Sequence, residues 1–140
     1  MAHLLTTSIE IDAAPEAVWG VLADLGRYPD WNPHVVEASG TLAAGERLRL
    51  RMGGMRFRPR VLRADGRELR WLGHLGVPGL FDGEHRFTLT PLPGGGTRLE
   101  QAERFTGALV PLTGRLLERT RGDFEAVNAA LKARAEAAAA

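Results

Sequence analysis

The 140-residue chain contains no cysteine. Disulfides, thiolate metal sites and a cysteine nucleophile are therefore excluded, and a reducing, cytoplasmic setting is expected. Lysine is almost as scarce: Lys132 stands alone against 17 arginines, a bias that reads as base composition of the source genome rather than as chemistry. A surplus of either charge is also missing. The formal net charge is +1, so bulk electrostatics make no case for nucleic acid or an anionic membrane. No apolar run approaches the roughly 18 to 20 residues of a membrane span. The opening "MAHLLTTSIEID" lacks the basic segment and apolar stretch of a signal peptide. His3, His34, His74 and His85 show no metal-binding spacing, and no serine elbow, P-loop or dinucleotide motif occurs. "PGGGT" is followed by no helix, so it reads as a hairpin turn and not a phosphate cradle. Neither metal nor cofactor is expected.

What remains is the profile of one globular domain over residues 1–140, with 44% apolar and 25% charged residues. "LLTTSIEI" alternates Leu5, Thr7, Ile9 and Ile11 against polar neighbours, a strand signal. Pro15 suits a first helical position, Val18, Val21, Leu22 and Leu25 follow at helical spacing, and Gly26 is the expected stop. "RYPDWNP" leaves room for one short helical turn. Between Val35 and about Phe105 the pattern is strands, about six of them. Leu48, Leu50 and Met52 alternate with arginines, and Asp65-Gly66 signals a two-residue hairpin turn. That turn would put Leu62 on the face of Leu69 and turn Phe57 and Val61 away. A bulge near Pro59 would repair the register. From about Val110 to Ala138 a long helix is predicted, with Leu112, Leu116, Leu117, Thr120, Phe124, Val127 and Leu131 as its apolar stripe. Trp19, Phe105 and Phe124 read as core. The element order is strand, two short helices, antiparallel strands and one long helix, an α+β arrangement in which the sheet wraps the helix.

The stretch "GEHRFTLTPLPGGGTRLEQAERF" places polar groups on an otherwise apolar face. A turn near Gly94-Gly95 pairs Leu89 with Leu99, Phe87 with Gln101 and His85 with Glu103. His85 and Glu103 can share a charge-assisted hydrogen bond, and a carboxyl in an apolar site needs a partner or a raised pKa. Three readings stay open: a structural pair, a ligand anchor and a proton relay.

Nine arginines between Arg47 and Arg70 read mainly as a solvated outer face. The inward or outward facing of Arg58 and Arg60 depends on the register at Pro59.

"SIEIDAAPEAVWGVLADLGRYPDWNP", "LRWLG", "GEHRFTLTPLPGGGTRLEQAERFTG" and the closing helix resemble the START-related SRPBCC superfamily, which includes the birch pollen allergen, polyketide cyclases and lipid-transfer domains. The resemblance covers nearly the whole chain and rests on the order of the segments. It implies the helix-grip fold, a curved antiparallel sheet of about seven strands around the C-terminal helix, with a cavity for a hydrophobic molecule between them. The expected lining is Leu50, Trp71, Phe87, Leu89, Leu99, Leu116, Thr120 and Phe124, with His85, Gln101 and Glu103 as polar anchors and Trp31 at the entrance.

Binding of a lipid, polyketide or aromatic metabolite is the first functional expectation. A polyketide aromatase/cyclase is the alternative, with His85 as candidate base and Tyr28 or Glu103 as candidate acid. The residues do not choose between binding and catalysis, because they form no nucleophile–base–orienter set. A protein- or RNA-contacting module acting through the arginine face is a further alternative, although nucleic acid is the less expected partner because exposed aromatics are lacking there. A monomer or homodimer is expected.

Overall fold

Strand alternation at the two ends of the chain dictates the centre of the fold. In the computed structural model, which describes residues 2–139, β1 (Ala2–Ile11) pairs antiparallel with β8 (Thr97–Thr106) over ten residues. β8 pairs equally fully with β7 (Asp82–Pro91). β6 (Glu68–His74) and β5 (Arg60–Ala64) complete a five-stranded sheet in the order β1-β8-β7-β6-β5. A second sheet of three strands contains β2 (Val35–Ser39), β3 (Arg49–Met52) and β4 (Met55–Phe57). The two sheets are stitched by hydrogen bonds from Gly45 to Val61, Val61 to Glu46 and Leu48 to Pro59. The α+β helix-grip class is as expected, but among the described residues the strands number eight in two sheets rather than about seven in one.

The hairpin at Asp65-Gly66 is wider than two residues, since Ala64 pairs with Leu69. The Asp65 carboxylate accepts the backbone N–H groups of Arg67 and Glu68 and so stabilises the longer loop. The bulge falls at Leu62, between the paired positions Val61 and Arg63, rather than at Pro59. It returns Val61 to the inner face, where it is fully buried opposite Trp71. Arg58 and Arg60 are exposed on either side of buried Pro59.

Helix α1 (Pro15–Ala23) stops before Asp24, earlier than Gly26, and a 3-10 turn at Leu25–Arg27 leads into α2 (Tyr28–Trp31). The closing helix α3 (Gly114–Ala139) starts after a separate 3-10 turn at Val110–Leu112. Its buried stripe is Leu117, Phe124, Val127, Asn128, Leu131 and Ala135. Leu112 and Leu116, expected on that stripe, are 83% and 59% exposed. Leu112 lies on the separate 3-10 turn before the helix, and Leu116 lies in the first turn of α3, where it is left uncovered. α3 packs across β1 and against α1.

Two apolar clusters result. One gathers Val18, Leu22, Leu50, Val61, Trp71, Phe87 and Leu131 among others; the second holds Leu5, Phe105, Val110, Leu117 and Phe124.

Candidate functional site

Register brings the polar residues to the inner face of the sheet, beside both clusters. Val61, Trp71, His85, Glu103 and Leu5 form one row across the five strands. The next row contains Leu69, Phe87, Gln101 and Thr7. The three cross-strand pairs expected from the hairpin, Leu89 with Leu99, Phe87 with Gln101 and His85 with Glu103, are all present.

Gln101 is fully buried and ties the row to the helix. Its Nε2 donates to Asn128 Oδ1 at 2.7 Å and to the Phe124 carbonyl at 3.2 Å. Its Oε1 accepts from His85 Nε2 at 3.1 Å. Asn128 Nδ2 donates to Thr7 Oγ1 at 2.9 Å, and Thr7 Oγ1 donates to the Gln101 carbonyl at 2.9 Å. With Gln101 Oε1 fixed as an acceptor, the neutral imidazole carries its proton on Nε2. Nδ1 then presents a lone pair toward Glu103 Oε1, 3.6 Å away. That separation is beyond hydrogen-bond length.

Among the described residues no hydrogen bond reaches the Glu103 carboxyl, whose side chain is 18% exposed. Burial pushes its pKa up to about 7. Burial also holds the His85 imidazole down at about 4, the Gln101 hydrogen bond opposing. Both shifts favour the neutral pair, a protonated carboxyl beside an unprotonated imidazole. The carboxyl lies over Gly83: an ideal Cβ there would come within 2.1 Å of Oε2. Any side chain at position 83 would occupy the carboxyl's place.

Aromatic rings pack around the imidazole of this pair. His85 stacks on Phe87 at 4.8 Å and on Phe124 at 5.1 Å between centroids, with Trp71 tilted against it at 5.2 Å. The space expected to be hollow is therefore occupied beside the imidazole by packed rings. The two surface concavities described lie at the start of α3, lined by His3, Arg115, Glu118 and Arg119 in one case and by Leu112, Arg115 and Leu116 in the other. Neither is lined by His85, Gln101 or Glu103.

Leu50, Leu89 and Leu99 are buried in the larger cluster. Trp31 packs at the edge of that cluster, edge-on to Tyr28, and its indole N–H has no partner among the described residues. Leu116 and Thr120 do not line the interior. Leu116 faces solvent, and Thr120 turns its hydroxyl back to the Leu116 carbonyl. Tyr28 is a third correction: it is buried and its hydroxyl donates to the Leu22 carbonyl. Burial pushes that phenol above its ordinary range. A phenol spent on the α1 backbone is no acid for the His85 cluster. Asn128 and Thr7 went unassigned from sequence, although Asn128 falls at helical spacing between Phe124 and Leu131 and Thr7 sits on the inner alternation of β1.

Among the described residues no cluster of His, Cys, Asp and Glu is suited to a metal ion, and no helix is long and apolar enough to cross a membrane.

No curated protein sequence matches the chain. Among solved structures, the Zhui aromatase/cyclase from Streptomyces sp. R1128 superposes with a TM-score of 0.78 at 19% identity, over 97% of this chain and 94% of that one. A START superfamily protein from Mycobacterium smegmatis gives 0.75 at 25% identity, over 97% and 99%. A norcoclaurine synthase from Thalictrum flavum gives 0.77 at 12% identity, over 100% and 98%. The model of the polyketide cyclase/dehydrase and lipid transport family matches residues 2–136. An unbroken match of that length, on a helix gripped by an antiparallel sheet, makes this chain a member of the polyketide cyclase/dehydrase and lipid transport family.

Proposed function

We propose that the chain binds a small hydrophobic molecule between the sheet and α3, with His85, Gln101 and Glu103 as polar anchors and Trp71, Phe87 and Phe124 as apolar walls. The observation that carries this reading is the Glu103 carboxyl, mostly withdrawn from solvent beside His85, seated over a glycine and, among the described residues, left without a hydrogen bond. A packed core has little reason to keep an unpartnered carboxyl, because its desolvation goes uncompensated. A ligand hydroxyl or carbonyl would supply the missing partner. Trp31 offers a second unpartnered donor, at the edge of the same cluster.

Entry requires the rings over His85 to move. Gly122 favours this, as a helix-interior glycine whose place no packing contact requires: a Cβ at it, as at Gly114, would meet nothing within 4 Å. Neither glycine is there to permit close packing. Gly122, inside α3, weakens it by about 1 kcal/mol relative to alanine and lies half a turn before Phe124, whereas Gly114 is the helix's first residue. The N-terminal half of α3 is thus the softer wall.

The test is a titration with 1-anilinonaphthalene-8-sulfonate, alongside native mass spectrometry of the purified protein. One saturable site, weakened by Glu103→Ala and blocked by Phe87→Trp, is the expected result. A wild-type protein that neither carries a small molecule nor binds the dye defeats the proposal.

A second reading is favoured by the neutral acid–base pair and the family's cyclase membership. His85 Nδ1 can take a proton from a carbon next to a carbonyl while the Glu103 carboxyl donates to the oxygen, which is enolisation, the first step of an aldol-type ring closure. Deuterium exchange into a β-ketoester in heavy water reads this out. Acceleration by wild type and its loss in His85→Gln at unchanged affinity supports catalysis; no acceleration leaves binding alone.

A further inference from the structure

The large apolar side chains left exposed are distributed unevenly. Strand register defines two ends of the molecule: at one, β1 and β7 start while β6 and β8 finish, with Thr106 opposite both Ala2 and Asp82. β5 also starts there, so the β3–β4 hairpin preceding it extends past the same end. That hairpin exposes Met52 and Met55 on either side of Gly53-Gly54. The β6–β7 loop exposes Leu75, Val77 and Leu80, and the start of α3 exposes Leu112 and Leu116. Leu4 and Val36, the other two exposed large apolar side chains among the described residues, also belong to this half: Leu4 is opposite Arg104, and Val36 adjoins the Val35–Met52 pair. None lies at the opposite end, where the loops 12–14, 65–67 and 92–96 turn. The arrangement is built in. The Leu109 N–H donates to the Leu80 carbonyl, and Gly107 lies so close that a Cβ there would meet that carbonyl at 2.6 Å.

Charge identifies what covers this end. Arg56, Arg58, Arg104, Arg115 and Arg119 are exposed around it, and no described carboxylate lies within 4 Å of any of them. α3 presents its positive N-terminus here, with no acidic residue in its first turn. A second copy of the chain would bring these like charges face to face. The apolar residues also sit on separate turns rather than around one groove, which suits a deformable apolar layer bounded by negative charge.

We infer that this end of the molecule docks on the surface of an anionic phospholipid bilayer, Val77 and Leu112 entering the acyl boundary while Arg115 and Arg119 meet the headgroup phosphates. This is peripheral attachment and does not depend on the interior binding a ligand.

Cosedimentation with phosphatidylcholine vesicles, with and without phosphatidylglycerol, is the test. Wild type is expected to bind the anionic vesicles and be released by salt. Val77→Ser combined with Leu112→Ser should reduce binding about tenfold. Arg115→Gln and Arg119→Gln should each reduce it about fivefold. These side chains are exposed, so the variants fold, which circular dichroism verifies. Failure of wild type to bind anionic vesicles overturns the inference, as does equal binding by all the variants. A Val77-dependent dimer in sedimentation velocity without vesicle binding assigns the surface to a second copy instead.

Discussion

At the scale of single residues, the carboxyl over Gly83 makes the sharpest prediction. Gly83→Ala places a methyl 2.1 Å from Glu103 Oε2, so the carboxyl must swing toward solvent. The displaced group is the free end of a flexible side chain, so stability should change by no more than about 0.5 kcal/mol, while the Glu103 midpoint should fall from about 7 toward an ordinary carboxylate value. Side-chain carboxyl shifts followed by NMR across pH, with urea unfolding, measure both. An unmoved midpoint would mean that Gly83 does not hold the carboxyl in place. The neutral pair makes a second prediction. Glu103, raised from 4.5 to about 7, contributes stability that is full below pH 4.5 and lost as pH rises through 7. His85, lowered from 6.5 to about 4, contributes stability that is present above 6.5 and lost as pH falls through 4. Between pH 4.5 and 6.5 the two slopes oppose. Wild type should therefore be nearly flat there by urea unfolding. Glu103→Gln should become more stable with rising pH and His85→Phe less stable, by up to about 2 to 3 kcal/mol. Parallel profiles for the two variants would rule out the neutral pair.

Among the elements, α3 separates what spacing reveals from what packing decides. The apolar spacing of Leu117, Phe124, Val127 and Leu131 was legible, and all four are buried. Leu112 and Leu116 fit the same pattern on paper and face solvent, because Leu112 lies on a separate 3-10 turn and Leu116 on the uncovered first turn of α3. Leu131→Ala should thus cost about 2 to 5 kcal/mol, and Leu116→Ala within about 0.5 kcal/mol. Thermal unfolding of the two variants is the check, and comparable losses would refute this assignment of faces. The β7–β8 hairpin was legible to the residue because an unbroken alternation leaves only one register that buries the apolar face. At β5 the same rule failed. A bulge shifts register without changing composition, and nothing in "RVLRA" marks Leu62 as the extra residue.

For the whole molecule, the sequence by itself determined the element order, the α+β class, the pairing of His85 with Glu103 and the placing of Gln101 on the inner face. These follow from periodicities of two and near four, which are local properties of a chain. Only the tertiary structure decided which partners those residues meet across long separations. Asn128 reaches Thr7 over 121 positions and Gln101 over 27, and no local pattern encodes such closures. It also decided that Tyr28 spends its hydroxyl on the Leu22 carbonyl and that aromatic rings close over His85. The gathering of the exposed apolar residues at one end belongs there too. Alternation determines which face a side chain takes, whereas its neighbours depend on how the helix and the sheets come together in space.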